Sequence, residues 1–252
     1  MVQTLNPNLS GHNAATKKKV CWTHVSIFWE LPYWEDLAVR HALDVMHIEK
    51  NACDNILGTM LNLTGKTKDD MKARLTLKEL GIKPHLWPKK GKGDKYTLPD
   101  APYTVKTSKR TEVFERFAST RYPSGYAGNL RTKINIEDKK FLGLKTHDTH
   151  VMLQRILSII IRPYVADEVA CVLVELSKWF KTVCARKLSR SVVLQLKEDI
   201  IHILCKMENI FPPAFHTIMV HLCKHIPDQI LQTDPVHHTW MFPIERYTLN
   251  HI

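Results

Sequence analysis

Two stretches decide the fold: DEVACVLVELSKWFKTVC, residues 167–184, and SVVLQLKEDIIHILCKMENI, residues 191–210. In the first, Val169, Val172, Leu173, Leu176, Phe180 and Val183 fall at helical spacing. In the second, Val193, Leu196, Ile200, Ile203, Leu204 and Met207 do the same. Each pattern gives an apolar stripe along one side of a helix, which must be buried against a neighbour. Pro212-Pro213 stops the second helix, and residues 214–225 start another. Upstream, residues 149–161 read as a helix ending near Pro163, and residues 111–119 as a shorter one. Strand signals are confined to the neighbourhoods of Ile134 and Phe141. The expected class is therefore mainly α, a helical bundle in the C-terminal part.

Towards the N-terminus the pattern weakens. Residues 35–63 carry a broad apolar stripe and read as helical, with Asp44 placed to cap a helix. Val25, Ile27 and Phe28 suggest a short strand halted by Pro32. Residues 64–70 can cap a short helix over 71–80, ended by Gly81. Pro84, Pro88, the run KKGKGDK (89–95) and Pro99 then mark a basic loop. Residues 122–126 read as a turn, and residues 1–20 as a disordered tail with a small basic run, Lys17 to Lys19.

Charge is unevenly placed. The chain has 252 residues and a formal net charge of +11. Between Leu61 and Lys145 stand 20 Lys and Arg against 9 Asp and Glu, which accounts for the whole excess. A patch of that sign attracts polyanions; the same charge on a solvated linker would bind nothing specifically. Lys66, Lys68, Lys72, Arg74, Lys89, Lys90, Lys92 and Lys95 are the candidate nucleic-acid contacts. No stretch reaches the roughly 18–20 apolar residues of a membrane span. The six cysteines show no C-x-x-C pair and read as reduced, buried thiols.

Recognised catalytic signatures are missing from the text of the chain. Its nine glycines form neither a phosphate-cradling loop nor a dinucleotide fingerprint, and G-x-S-x-G does not occur. His221 and His225, four apart, share a helix face, but without an acidic or sulfur third ligand they make no zinc site. No metal ligands are assigned from the sequence. Asp148, in HDTH just before an apolar helix, reads as a capping residue. Two pieces place a carboxylate among apolar and aromatic residues: DVMHIEKN (44–51) and WMFPIERY (240–247). Such a setting suits a hard cation, but also a plain cap or a surface ion pair.

Those pieces belong to a longer ordered set: IFWELPYWEDLAVRHALDVMHIEKNACDNILGTMLN (27–62), GKTKDDMKARLTLKELGIKPHLWP (65–88), YPSGYAGNL (122–130), GLKTHDTHVMLQRILSIIIRPYV (143–165), ILCKMENIFPPAFHTIMVHLCKHIP (203–227) and WMFPIERY (240–247). Together they resemble the C-terminal half of plant CACTA, En/Spm-type, transposase proteins. The later part resembles a plant-transposon domain of unknown function that follows the transposase region there. The resemblance implies a ribonuclease H-like core in which three carboxylates hold two Mg²⁺ ions for phosphodiester cleavage. Asp44 and His47 match the family's D-x-x-H motif, and Glu245 is the candidate third carboxylate. The family's first two catalytic aspartates lie upstream of the LPYW stretch and have no counterpart here. The expected division is a tail (1–20), a partial transposase core segment (21–63), a basic linker with a short helix (64–107) and a helical transposon-associated domain (108–252), truncated at its end. The expected function is that of a non-catalytic remnant of a DDE-type transposase, needing no cofactor of its own where the parent family uses Mg²⁺. DNA and other transposase subunits are the implied partners, with no membrane and no small-molecule substrate, in the nucleus. The alternative is a co-opted nucleic-acid-binding protein using residues 61–145.

Overall fold

The computed structural model describes residues 26–91, 96–122, 128–241 and 247. The tail over 1–20, residues 123–126 of the expected turn, and Lys92, Lys95 and Glu245 lie outside the described residues. The chain divides at Arg40 into two units.

In the first unit, Ile27–Glu30 form a 3₁₀ turn, and the expected strand is not formed there. The reason is local hydrogen bonding. Ser26 Oγ accepts from Phe28 N, and the Ser26 and Phe28 carbonyls accept from Trp29 and Leu31. Phe28 stacks on Trp34, and the Arg40 guanidinium sits 5.1 Å over the Trp29 ring.

The second unit is built from helices, as the periodicities require. Helix α1 spans Val45–Met60, ten residues later than the apolar stripe suggests. Asp44 sets its start, with Oδ1 accepting from His47 N at 3.2 Å. The residue before the cap is held elsewhere, since Leu43 N donates to Gln229 Oε1 at 2.6 Å. Helix α2, Met71–Glu79, is capped by Asp70 through Ala73 N. It ends at Gly81, whose φ of +70° suits glycine. Strands β1 (Lys89–Lys90) and β2 (Tyr96–Thr97) pair antiparallel within the expected loop. Helix α3 is Thr107–Ser119. Strands β3 (Ile134–Asn135) and β4 (Lys140–Phe141) form a second small hairpin, where the sequence shows its strand signals.

The stretch expected as one helix over 149–161 is composite. Helix α4 (Thr146–Val151) passes into a π-helical segment, Met152–Ile156, and then into α5 (Leu157–Ile161). The π turn misaligns carbonyls from the usual ladder. Ser177 Oγ donates to a carbonyl of this segment, Leu153 O, at 2.8 Å. Asp148 caps α4 as expected, accepting from Lys145 N at 2.8 Å.

Helices α6 (Asp167–Val183) and α7 (Arg190–Ile210) follow the sequence to within a residue or two. Asp167 and Glu168 in the first turn of α6 meet the positive end of its dipole. Its stripe packs on that of α7, and Trp179 Nε1 donates across the seam to Leu196 O. Helices α8 (Ile218–Leu222) and α9 (Ile226–Thr233) complete the unit. One hydrophobic cluster runs through α1, α3, α6 and α7, and it takes in Leu77, Leu86, Tyr103 and Val105 from the 64–107 stretch. No described helix is long and apolar enough to cross a membrane.

Candidate functional site

Helix α1 is buried on nearly every side, and one of its buried residues is a carboxylate, Glu49, at 0% exposure. It lies in the 44–51 piece of the sequence. The chain brings three other helical segments to it. From α4, His150 places Nδ1 2.6 Å from Glu49 Oε2. From the π segment, Gln154 Nε2 donates to Glu49 Oε1 at 2.9 Å. From the end of α6, Cys184 completes a group whose ligand atoms all lie within 4.8 Å of one another: Glu49, His150 and Cys184. Trp240 sets its ring edge-on to His150, at 6.3 Å between centroids. The second carboxylate-bearing piece of the sequence thus approaches the first through His150, while its Glu245 lies outside the described residues.

Burial dominates the electrostatics of this group. It pushes the Glu49 carboxyl above its ordinary range, although His150 and Gln154 pull the other way. It also pushes up the Cys184 thiol, and the Glu49 charge adds to that effect. Two more cysteines feel the same carboxylate: Cys53, raised by burial, and Cys223, pushed up to about 12. A carboxylate, an imidazole and a thiol are all capable metal ligands.

Asp44 and His47, the motif match, do not enter this group. Asp44 is occupied as the α1 cap, and His47 is exposed on the first turn of that helix. Sequence reasoning marked the right stretch and missed Glu49, two positions beyond His47. The available signal was helical phase, because Glu49 shares a face with Val45, Cys53 and Ile56, all buried. His221 and His225 do share a face, with Nε2 atoms 3.2 Å apart, and both are exposed. Cys223 between them is buried. Of the described cysteines, all free, Cys171 and Cys205 are exposed rather than buried.

The basic stretch has a different character. Lys66, Lys72, Lys89 and Lys90 are exposed, and Lys68 is half-buried. Lys66 is positioned by backbone packing: a Cβ at Gly58 of α1 would stand 2.5 Å from Lys66 O, so glycine there lets the loop close on the helix. Thr59 Oγ1 accepts from Lys68 N. Arg74 departs from the expectation of a DNA contact. It is 2% exposed and forked onto Asp69, with a further bond to Leu86 O at 2.9 Å. Its charge is turned inward and already neutralised, so it adds nothing to a polyanion surface.

Comparison with known proteins gives one assignment. Residues 183–251 match a domain of unknown function (DUF4218), typical of plant transposase-related proteins. This covers α7 to α9 and the WMFPIERY piece. No curated protein and no solved structure matches the chain.

Proposed function

We propose that this chain is part of a CACTA, En/Spm-type, transposase-like protein, and that it holds DNA through residues 61–145 without cutting it. The observation that carries the reading is the placement of charge. The entire positive excess falls in that stretch, and Lys66, Lys72 and Lys89 present it to solvent. The DUF4218 match and the six ordered stretches support the transposon connection. The absence of cleavage is supported by the role of Asp44. Two-metal phosphoryl chemistry needs several oxygens around each Mg²⁺, and Asp44 is held by a backbone N–H of its own helix. The partners on this reading are nuclear DNA and other transposase subunits.

The test is titration of duplex DNA with the purified chain at a series of salt concentrations. Phosphate contacts release counterions, so affinity should fall steeply between about 50 and 200 mM salt. Joint reversal of Lys66, Lys72 and Lys89 to Glu should flatten the logarithmic salt slope by about three and weaken binding at least tenfold or so. Lack of binding at the lowest salt would remove the DNA reading. Mg²⁺-dependent nicking by the pure chain would remove the non-catalytic one.

A further inference from the structure

We infer that Glu49, His150 and Cys184 are three ligands of a divalent transition-metal cation of the zinc class, with a fourth position left open. This inference is independent of DNA binding and rests on the geometry of α1, α4 and the end of α6.

The first argument is the environment of Glu49. A carboxylate at 0% exposure needs a compensating charge or it destabilises the fold. Among the described residues Glu49 meets a histidine and a glutamine rather than a lysine or arginine. A divalent cation held between the three side chains supplies a fuller compensation than the single proton shared with His150.

The second argument is the donor set. One oxygen, one nitrogen and one sulfur donor match the ligand preference of Zn²⁺ or its borderline neighbours. Mg²⁺ and Ca²⁺ prefer oxygen donors throughout, and an imidazole and a thiolate are poor ligands for either. A tetrahedral zinc shell separates its donor atoms by roughly 3.5 Å. The present spread of up to 4.8 Å closes to that with a side-chain adjustment of about an ångström. The ion takes the place of the proton shared by Glu49 and His150, whose 2.6 Å contact lengthens, and of the thiol proton of Cys184.

The third argument is the surrounding support. The π segment begins directly after α4 and carries Gln154 to the second oxygen of Glu49, fixing the carboxylate. Such a partner outside the coordination shell orients a ligand. π segments occur often at functional positions. The site is also reachable: His150 is 18% exposed and Cys184 is half-buried, while Glu49 forms the floor.

The experiment uses the full chain, stripped with a chelator and titrated with Co²⁺ alone, then with Zn²⁺ in competition. One equivalent of Co²⁺ should produce a thiolate-to-metal charge-transfer band, and Zn²⁺ should bleach it. Cys184→Ser should abolish the band, and His150→Asn should weaken binding at least tenfold or so. Cys171→Ser and Cys205→Ser, at exposed thiols, should leave it intact. Both Cys184 and His150 are partly exposed, so their variants keep the test sound if Glu49→Gln fails to fold by circular dichroism. A folded wild-type chain with no thiolate band overturns the inference. So does a band that survives Cys184→Ser, or one that is lost in His221→Asn but kept in His150→Asn. Cys184→Ser should bind DNA as the wild type does, which separates this inference from the DNA reading.

Discussion

Arg74 and Glu49 are both buried charged residues, at 2% and 0% exposure, and the regions around them handle that burial in opposite ways. Around Arg74 every charge is answered. Asp69 takes the guanidinium fork, and the carbonyls of Leu86 and Pro99 accept two more of its N–H groups. The result ties α2 to the chain on either side of the first hairpin and needs nothing from outside. Around Glu49 the balance struck by the described residues is incomplete. His150 and Gln154 lower its carboxyl pKa, but burial raises it more. A closed pair of the first kind serves the fold. An open group of the second kind, lined with a thiol and an imidazole, is built to receive something.

The largest expected effect follows from the closed pair. Arg74→Ala leaves Asp69 buried without its partner, and such a loss typically costs about 3–5 kcal/mol. Denaturant unfolding should show it as a lower midpoint at an unchanged slope. The next effect is much smaller. Glu49→Gln keeps the shape and one acceptor while removing an incompletely compensated charge, so the apo chain should change in stability by no more than about 1 kcal/mol. Equal losses for the two variants would break the comparison, because Glu49 would then be structural in the same sense as Arg74.

The two regions also differ in how much of them could be read in advance. Helices α6 and α7 follow from their apolar spacing, and α2 from Asp70 at one end and Gly81 at the other. These signals are local. The start of α1 is not, since Leu43 is held by Gln229 from the far end of the chain, which no stripe reveals. The inward turn of Arg74 was hidden for a related reason. A count of basic residues registers sign and omits direction, although Asp69 five positions earlier offered a partner. The open group was least legible of all. Glu49 and His150 stand 101 positions apart, and only the packing of α1 on α4 joins them. His150 is one histidine among fourteen, and no local spacing ties it to a sulfur or carboxylate neighbour. The π segment that aims Gln154 has no recognisable sequence mark.

Glu112 on α3 supplies the weakest effect and a third way of holding a carboxylate. It is a surface group with three donors: Tyr164 Oη at 2.7 Å, Arg116 at 3.0 Å and Lys109 at 3.1 Å. The Tyr164 bond leads in lowering its pKa from an ordinary 4.5 to about 2. A carboxyl whose folded pKa is depressed stabilises the fold above its unfolded pKa, and that contribution disappears as the pH falls through the folded value. The window here runs from about pH 4.5 down to about 2. Because the group is exposed, screening keeps the contribution small. Glu112→Gln should therefore barely move the thermal midpoint at pH 7. The difference between variant and wild type should shrink further between pH 4.5 and 2, and added salt should shrink it too. A midpoint difference that grows on acidification would mean that Glu112 is held by burial, as Glu49 is, and the distinction between surface and interior carboxylates in this fold would fail.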